Sequence, residues 1–447
     1  MHIDQNLQAA DLAPALERFF ALAAPKLRNL QKSWDATQGT PVFTVEGRYT
    51  TRGWTEWTQG FMYGCQLLQF DATGEEAFLH MARENTRRYM APHVSHTGVH
   101  DHGFNNVSTY GNLRRLALEG RTGETPDAIA FYELALQVSG AVQAARWSKT
   151  HDGTGFIHSF NGPHSLFSDT IRSCRALVVA DRLGHKLMGE NDEAISLEKR
   201  AIEHIENTLR YNVYYGRGRD TYDVPGRVVH ESIFNMNDGR YRCPSTQQGY
   251  SPFSTWTRGL AWVMLGCAEH LEYFRDRGGA EGGFIGRMRE AAAATADFYI
   301  SNTTADGIPF WDAGAPGLVH LPAYRDEPAQ PDNPHEPLDS SAAAITAQGL
   351  LRLGKYLGNS SGKAYWQAGL TVARTLLGAP FLSEDPAHQG LLLHSIYHRP
   401  NGWDHTPKGA KVPHGESSMW GDYHAMELAL YLQRINQGGA YYTFYGP

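Results

Sequence analysis

Two aspartates stand where a carboxylate has chemistry open to it. Asp101 lies inside HTGVHDHGFNN, between His100 and His102, and Asp169 lies inside HSLFSDTIRSCRALVVADRL, which reads as a helix over residues 164–183 with Leu166, Ile171, Leu177, Val178 and Leu183 on its apolar side. The ordinary role for either is to cap a first helical turn and complement the helix dipole, with Ser165 and Ser168 sharing that task at the second site. Gly103 and Asn105 suggest a tight turn that holds Asp101 in place. Repetition argues for more. Both aspartates open helices of the same class, so both should face one cavity, and two carboxylates in a shared pocket cannot both ionise freely. One then keeps a proton near neutral pH, as a general acid/base must. The dipole acting on Asp169 works the other way, so Asp101 or desolvation has to outweigh it. Paired carboxylates are the usual equipment for glycosidic bond cleavage.

A third constellation is VVHESIFNMNDGRYRCPSTQQGYSPFSTWTRGLAW. Arg258 and Trp262 are four apart, hence on one helical face, with Trp256 just ahead of them. A guanidinium suits bidentate recognition of a carboxylate, and a Trp face suits a sugar ring. The plainer readings are a surface ion pair for Arg258 and core filling for Trp57, Trp262 and Trp420. His93, His96, His100, Asp101 and His102 form a histidine-rich tract with ligand types that zinc accepts. No H-E-x-x-H motif accompanies it and the other histidines are scattered, so neither a metal nor a cofactor is expected.

Positioning these residues falls to a weak repeat of roughly 50 to 90 residues, in which a charged amphipathic helix is followed by a Gly- and aromatic-rich loop and a more apolar helix. Six such pairs are readable. The amphipathic members are LAPALERFFALAAPKLRNL, EEAFLHMARENTRRYM, PDAIAFYELALQVSGAVQAARW, EAISLEKRAIEHIENTLRY, IGRMREAAAATADFYI and KAYWQAGLTVARTLL. Their partners are WTQGFMYGCQLLQF, FNNVSTYGNLRRLAL, HSLFSDTIRSCRALVVADRL, STWTRGLAWVMLGCAEHL, DSSAAAITAQGLLRLGKYL and SSMWGDYHAMELALYLQR. Polar outer and apolar inner helices can stack as an open solenoid or close into an all-α six-hairpin toroid, the (α/α)6 barrel. Closure is favoured, because the segments ahead of the inner helices are crowded with Trp, Tyr, His, Asp and Gly and would converge at one mouth. Two long irregular stretches, 214–253 and 309–338, exceed the usual loop length, and the second reads as a lid or rim.

The 447 residues, 41% hydrophobic and 11% aromatic, suffice for a large core, and no linker divides them, so a single domain over 1–447 is expected. A net charge of -7 with scattered Lys and Arg argues against nucleic acid and for small-molecule partners. No apolar run approaches the ~20 residues that span a bilayer, and the first residues lack the pattern of a secretory signal. Cys65, Cys174, Cys243 and Cys267 sit singly, which suggests reduced thiols and a cytoplasmic location.

Taken together, WTQGFMYG, HDHGF, SLFSDT, STWTRGLAWVMLG, PFWDAGAP followed by LDSSAAAITAQGLLRL, and GESSMWGDYHAMELAL resemble the family 88 glycoside hydrolases, the unsaturated glucuronyl hydrolases. The likeness begins near Trp54 and ends near Leu430. It implies an (α/α)6 barrel, in agreement with the helix count, and an unusual reaction. Polysaccharide lyases leave a 4,5-unsaturated uronic acid at the non-reducing end of their products; these enzymes protonate C4 of that vinyl ether while water adds at C5, and the hemiketal opens to release the remaining oligosaccharide. One residue can perform both proton transfers, so the carboxylate-separation rule for retaining and inverting enzymes does not carry over. The resemblance implies Asp169 as general acid/base and Asp101 as the aspartate that tunes it and holds substrate. It further implies His100, His230, Gln248, Arg258 and Trp262 as substrate contacts and Trp57 as an aromatic wall.

The sequence departs from the family pattern in two places. Ile171, Arg172 and Ser173 stand where Met-Met-Asn is more usual; Arg172 either points at Asp169 and lowers its pKa, or points past it and binds an anionic group of the substrate. An insertion over 214–252 carries Arg217, Arg219, Arg227, Arg240 and Arg242, which suggests a rim for sulfated or otherwise anionic oligosaccharides. Lys408 and Lys411 could serve similarly or simply be solvated. Three other readings stay open: an unsaturated rhamnogalacturonyl hydrolase, a sugar epimerase using His100 and His230, and a non-catalytic sugar-binding toroid. Either a monomer or a homodimer is compatible with the sequence.

Overall fold

The chain alternates between helices that bury one stripe and helices that are buried all round. In the computed structural model, which describes residues 1–52, 56–275 and 283–445, the outer helices are Ala13–Ser33, Glu76–Tyr89, Pro126–Ala145, Leu197–Tyr211, Phe284–Ser301 and Lys363–Leu376. Trp54 lies outside the described residues. Glu76–Tyr89 shows the outer pattern, with Phe78, Leu79, Ala82, Asn85 and Thr86 inward and its charges outward. The inner helix Thr257–Phe274, by contrast, buries every residue except Glu272. Side chains buried on all sides leave such a helix nowhere to sit but among other helices.

The inner set closes into a ring. Gln59–Thr73 packs on Met419–Asn436, which packs on Ser340–Ser361 and so on to Thr257–Phe274; that helix meets Thr170–Ser173, whose neighbour His102–Asn106 returns to Gln59–Thr73. This cycle makes the architecture an (α/α)6 barrel rather than an open solenoid. Small residues permit the close approach. A Cβ at Gly103 would lie 2.1 Å from the Ser173 carbonyl oxygen, and one at Gly60 2.2 Å from that of Asn105. No helix of the described residues is long and apolar enough to cross a membrane.

Three local expectations change. Residues 165–167 are not helical: Ser165–Phe167 is a strand, antiparallel to Glu231–Phe234 with Phe167 opposite Glu231, and Tyr241–Ser245 completes the sheet. Leu166 therefore packs with Phe156, Tyr211 and Phe234 instead of extending a helical stripe. The helix begins only at Thr170 and breaks at Cys174 before Arg175–Arg182. Second, the 214–253 stretch is not irregular throughout, since it contains the strands Glu231–Phe234 and Tyr241–Ser245. Third, the 309–338 segment contributes no side chain to the cavity described below and acts as a buttress: Asp312 accepts from Tyr250 N (2.8 Å), Ser254 Oγ (3.0 Å) and Gly314 N (2.8 Å).

Candidate active site

Each inner helix starts at the same end of the barrel, and two of these starts bring carboxylates into one cavity. Asp339 and Ser418 cap their helices through their side chains in the ordinary way. Asp101 and Asp169 occupy the equivalent positions, yet neither side chain makes a cap hydrogen bond. The carboxylates are turned instead into a cavity of about 550 Å³ walled by Trp57, Phe104, Phe160, Trp256, Trp262, Tyr397 and Trp403.

Between the two carboxylates stands His100. Its Nε2 lies 3.4 Å from Asp169 Oδ1 and 3.7 Å from Asp101 Oδ1. The backbone that carries it is held firmly, because the His100 carbonyl accepts from Ser173 Oγ (2.7 Å) and Gln143 Nε2 (2.8 Å). Ser173 Oγ also accepts from Gly103 N (3.0 Å), so the Gly103–Ser173 approach that brings two inner helices together also sets the distance between the aspartates.

On its other side Asp169 meets His230, with Oδ2 4.0 Å from Nε2. His230 Nδ1 accepts from the backbone N–H groups of Gln247 (3.0 Å) and Gln248 (3.3 Å). An accepting Nδ1 is unprotonated, so the neutral ring carries its proton on Nε2, aimed at Asp169. Nε2 has no hydrogen-bond partner among the described residues.

Charge is distributed unevenly across this cluster. Burial pushes the Asp101 carboxyl up to about 6; the His100 charge pulls against that and Asp169 adds to it. Burial would raise Asp169 as well, but hydrogen bonding and charge from His100, with His230 and Arg258, hold it below the usual carboxylate value. For His100 burial works downward, and the Asp101 and Asp169 charges overcome it to leave the imidazole above its ordinary value. His230 is lowered by burial in spite of Asp169. The lift that the sequence reading required for Asp169 thus falls on Asp101 in the free site, because His100 sides with the charged form of Asp169.

Gln248 and Arg258 form the far wall. All four terminal N–H groups of Arg258 are taken: Nη1 donates to Asp339 Oδ2 (2.8 Å) and the Ile396 carbonyl, and Nη2 to the Tyr397 carbonyl (2.7 Å) and Gln248 Oε1 (3.1 Å). The guanidinium is also sandwiched between the Trp256 and Trp420 rings, at 4.7 and 4.9 Å. Bidentate capture of a substrate carboxylate is therefore not open to it as it stands; it fixes the Gln248 amide, whose NH2 group is left to donate. Trp57 is half-buried on the wall, 5.1 Å from Trp420 and T-shaped to Phe61. Trp262 also faces the cavity, whereas Trp420 fills core, as the plainer reading had it.

Several expected anion contacts lie elsewhere. Arg172 neither faces Asp169 nor reaches substrate space: it is fully buried, with Nε 3.0 Å from Glu269 Oε2 and Nη2 2.8 Å from Glu427 Oε2. Buried carboxylates attract it inward more strongly than a solvated cavity could. The insertion's arginines do not form one rim. Arg217 pairs with Glu290, Arg219 lies over Tyr214 and Tyr241, Arg227 is buried, Arg240 is 3.7 Å from Asp238, and Arg242 is exposed on a strand. Lys408 and Lys411 are exposed on a loop and line no part of the cavity. The histidine tract divides between two tasks: His100 stands between the aspartates, whereas His102 bonds Ser139 Oγ and the His96 carbonyl and His93 stacks on His96.

Sequence reasoning passed over IYHRPNGWDH, which supplies Tyr397, His398 and Trp403. Asp404 closes this loop by accepting from the Tyr397 and His398 N–H groups. Its signal was available: like the other wall segments, it precedes an inner helix and is rich in aromatics. Phe104, Phe160, Asn161 and Gln247 were also missed as wall residues.

No family model matches the sequence. Two curated relatives are the unsaturated glucuronyl hydrolase of Formosa agariphila, 24% identical over 383 residues (85% of this chain, 80% of that one), and that of Bacillus sp. strain GL1, 25% identical over 422 residues (91% and 93%). Among solved structures, the unsaturated glucuronyl hydrolase of Streptococcus agalactiae superposes with a TM-score of 0.73 at 20% identity, covering 97% of this chain and 94% of the other.

Proposed function

We infer that this chain, which belongs with the unsaturated glucuronyl hydrolases, removes a 4,5-unsaturated uronic acid from the non-reducing end of oligosaccharides generated by polysaccharide lyases. The observation that carries this reading is the imidazole of His100 set between two buried carboxylates in an aromatic-walled cavity. The Asp101 and Asp169 charges raise the proton affinity of His100 above that of a free imidazole, and Asp169 is the base beside it. A uronate entering the cavity adds a like charge next to Asp169 and raises its proton affinity, so the proton 3.4 Å away can pass across. Protonated Asp169 then delivers it to C4. Its regenerated carboxylate takes a proton from the water whose oxygen bonds to C5, so one group serves both transfers.

Asp101 balances the charge of His100 and offers an acceptor to sugar hydroxyls. Gln248 presents an amide donor suited to the uronate carboxylate, and the Trp57 and Trp262 rings suit the face of the sugar. His230 hydrogen-bonds backbone through Nδ1 and faces Asp169 through Nε2, which supports a role in orienting Asp169. With both His100 and His230 turned to Asp169, a paired-histidine epimerase is the weaker reading.

The test follows the double bond itself. Unsaturated disaccharides from chondroitin, hyaluronan, heparin, xanthan, gellan and ulvan absorb near the ultraviolet edge, and absorbance should decay with at least one of them. Asp169→Asn should abolish the decay while its circular dichroism matches the parent. Absence of decay across the panel, or an active Asp169→Asn, would overturn the reading.

A further inference from the structure

The loop over residues 246–256 has two faces. One gives Gln247, Gln248 and Trp256 to the cavity. The other, through Tyr250 and Phe253, lines a separate shallow groove of about 380 Å³ together with Tyr222 and Arg227. Tyr222, Tyr250 and Phe253 are 48%, 52% and 45% exposed, a substantial share of the large apolar side chains left open to solvent among the described residues. Tyr222 and Phe253 stack at 4.5 Å with 25° between their planes. Such a cluster on a surface marks a contact site.

Arg227 says what kind of contact. It is 3% exposed and forms part of the groove lining. Its Nε donates to the Tyr222 carbonyl (2.7 Å), and Nη1 to those of Pro252 (3.3 Å) and Ser254 (3.3 Å). Its Cζ lies 3.8 Å from the Tyr214 ring centroid. Nη2 has no hydrogen-bond partner among the described residues. Backbone carbonyls hold a guanidinium in place without neutralising it, and a buried cation lacking a carboxylate partner favours an incoming anion.

We propose that this groove is a second, non-catalytic binding site for an acidic oligosaccharide, stacking sugar faces on Tyr250 and the Tyr222–Phe253 pair and drawing a carboxylate or sulfate toward Arg227. Aromatic faces beside a fixed cation suit an acidic sugar better than an apolar peptide, which would leave that charge unanswered. Because one loop builds both faces, the site adjoins the cavity without sharing a side chain with it.

Calorimetric titration of the full chain with tetragalacturonate tests this, since a saturated uronate chain binds without being a substrate; cellotetraose is the neutral counterpart. Binding should be at least tenfold weaker for cellotetraose, and at least tenfold weaker for tetragalacturonate in Phe253→Ser, Tyr222→Ser and Arg227→Gln. Turnover of an unsaturated disaccharide should be unchanged in the two surface variants. They keep the test decisive if Arg227→Gln does not fold. No binding, equal binding of both sugars, or full binding by Phe253→Ser would overturn the proposal. Conversion of a dimer to a monomer by Phe253→Ser would overturn it too, assigning the groove to a second copy. The readout is binding, so it stands apart from whether the double bond is consumed.

Discussion

His100 Nε2 lies 3.4 Å from Asp169 Oδ1 inside a cavity that is otherwise largely aromatic. Two residues far apart in sequence thus share one proton site. His100 lowers the proton affinity of the carboxylate, and Asp101 and Asp169 together raise that of the imidazole. Proton supply to the cavity consequently depends on their pairing.

The pH profile of kcat/KM should be a bell. Asp101 is raised to about 6, so it is neutral below that pH and charged above it. His100 is raised above its ordinary value, so its proton is lost at higher pH than that of a free imidazole, which sets the alkaline limb. The productive form, Asp101 charged and His100 protonated, lies between the two. In Asp101→Asn the acid limb near 6 should disappear. The alkaline limb should move to lower pH, because His100 loses one of the two anions that hold its proton.

His100→Gln keeps a polar side chain but removes the held proton. At neutral pH kcat should fall on the order of 10²- to 10⁴-fold, the usual weight of a general acid–base group. The acid limb of the residual activity should move to higher pH, because the His100 charge no longer opposes protonation of Asp101. Steady-state rates between pH 4 and 8 decide this; a uniform loss at every pH would mean that His100 only shapes the site.

Gln248 accepts from Arg258 Nη2 at 3.1 Å, which leaves its NH2 group as the donor on the cavity side. Gln248→Glu preserves the contact with Arg258 and places an anion where a donor stood. KM for a uronate disaccharide should rise at least tenfold with kcat changed less, and Gln248→Ala should show a smaller rise. Equal kinetics for the parent and Gln248→Glu would remove this residue from carboxylate recognition.

Beneath the cavity, Arg172 joins Glu269 and Glu427 in a fully buried ion cluster, with Arg175 Nη1 3.3 Å from Glu269. Arg172→Met should destabilise the fold by about 3–5 kcal/mol, the cost of leaving a buried charge unpaired. Adding Glu427→Gln should restore part of the loss, and chemical denaturation of both variants measures it. A single variant as stable as the parent would contradict the pairing.

Elements whose causes are local can be read along the chain. Amphipathic and all-apolar stretches marked six outer and six inner helices because burial on one face or on all faces leaves its own period. Residues 165–167 misled, since SLF fits either a helix end or a strand, and only the facing Glu231–Phe234 decides between them. Asp101 and Asp169 could be placed at helix starts from their neighbours. Whether they cap those helices or leave them uncapped could not, because that depends on what faces them across the barrel.

Side-chain direction and charge state come from contacts across the closed ring. Arg172 turned away from Asp169 toward Glu269 and Glu427, 97 and 255 residues along the chain. Arg258 is spent on Asp339, 81 residues away, and on the Ile396 and Tyr397 carbonyls. Closing the ring placed these partners within hydrogen-bonding distance and away from water, where electrostatic attraction acts at its strongest. Local spacing can nominate a carboxylate; which of two carboxylates holds its charge follows from the imidazole that the closed ring sets between them.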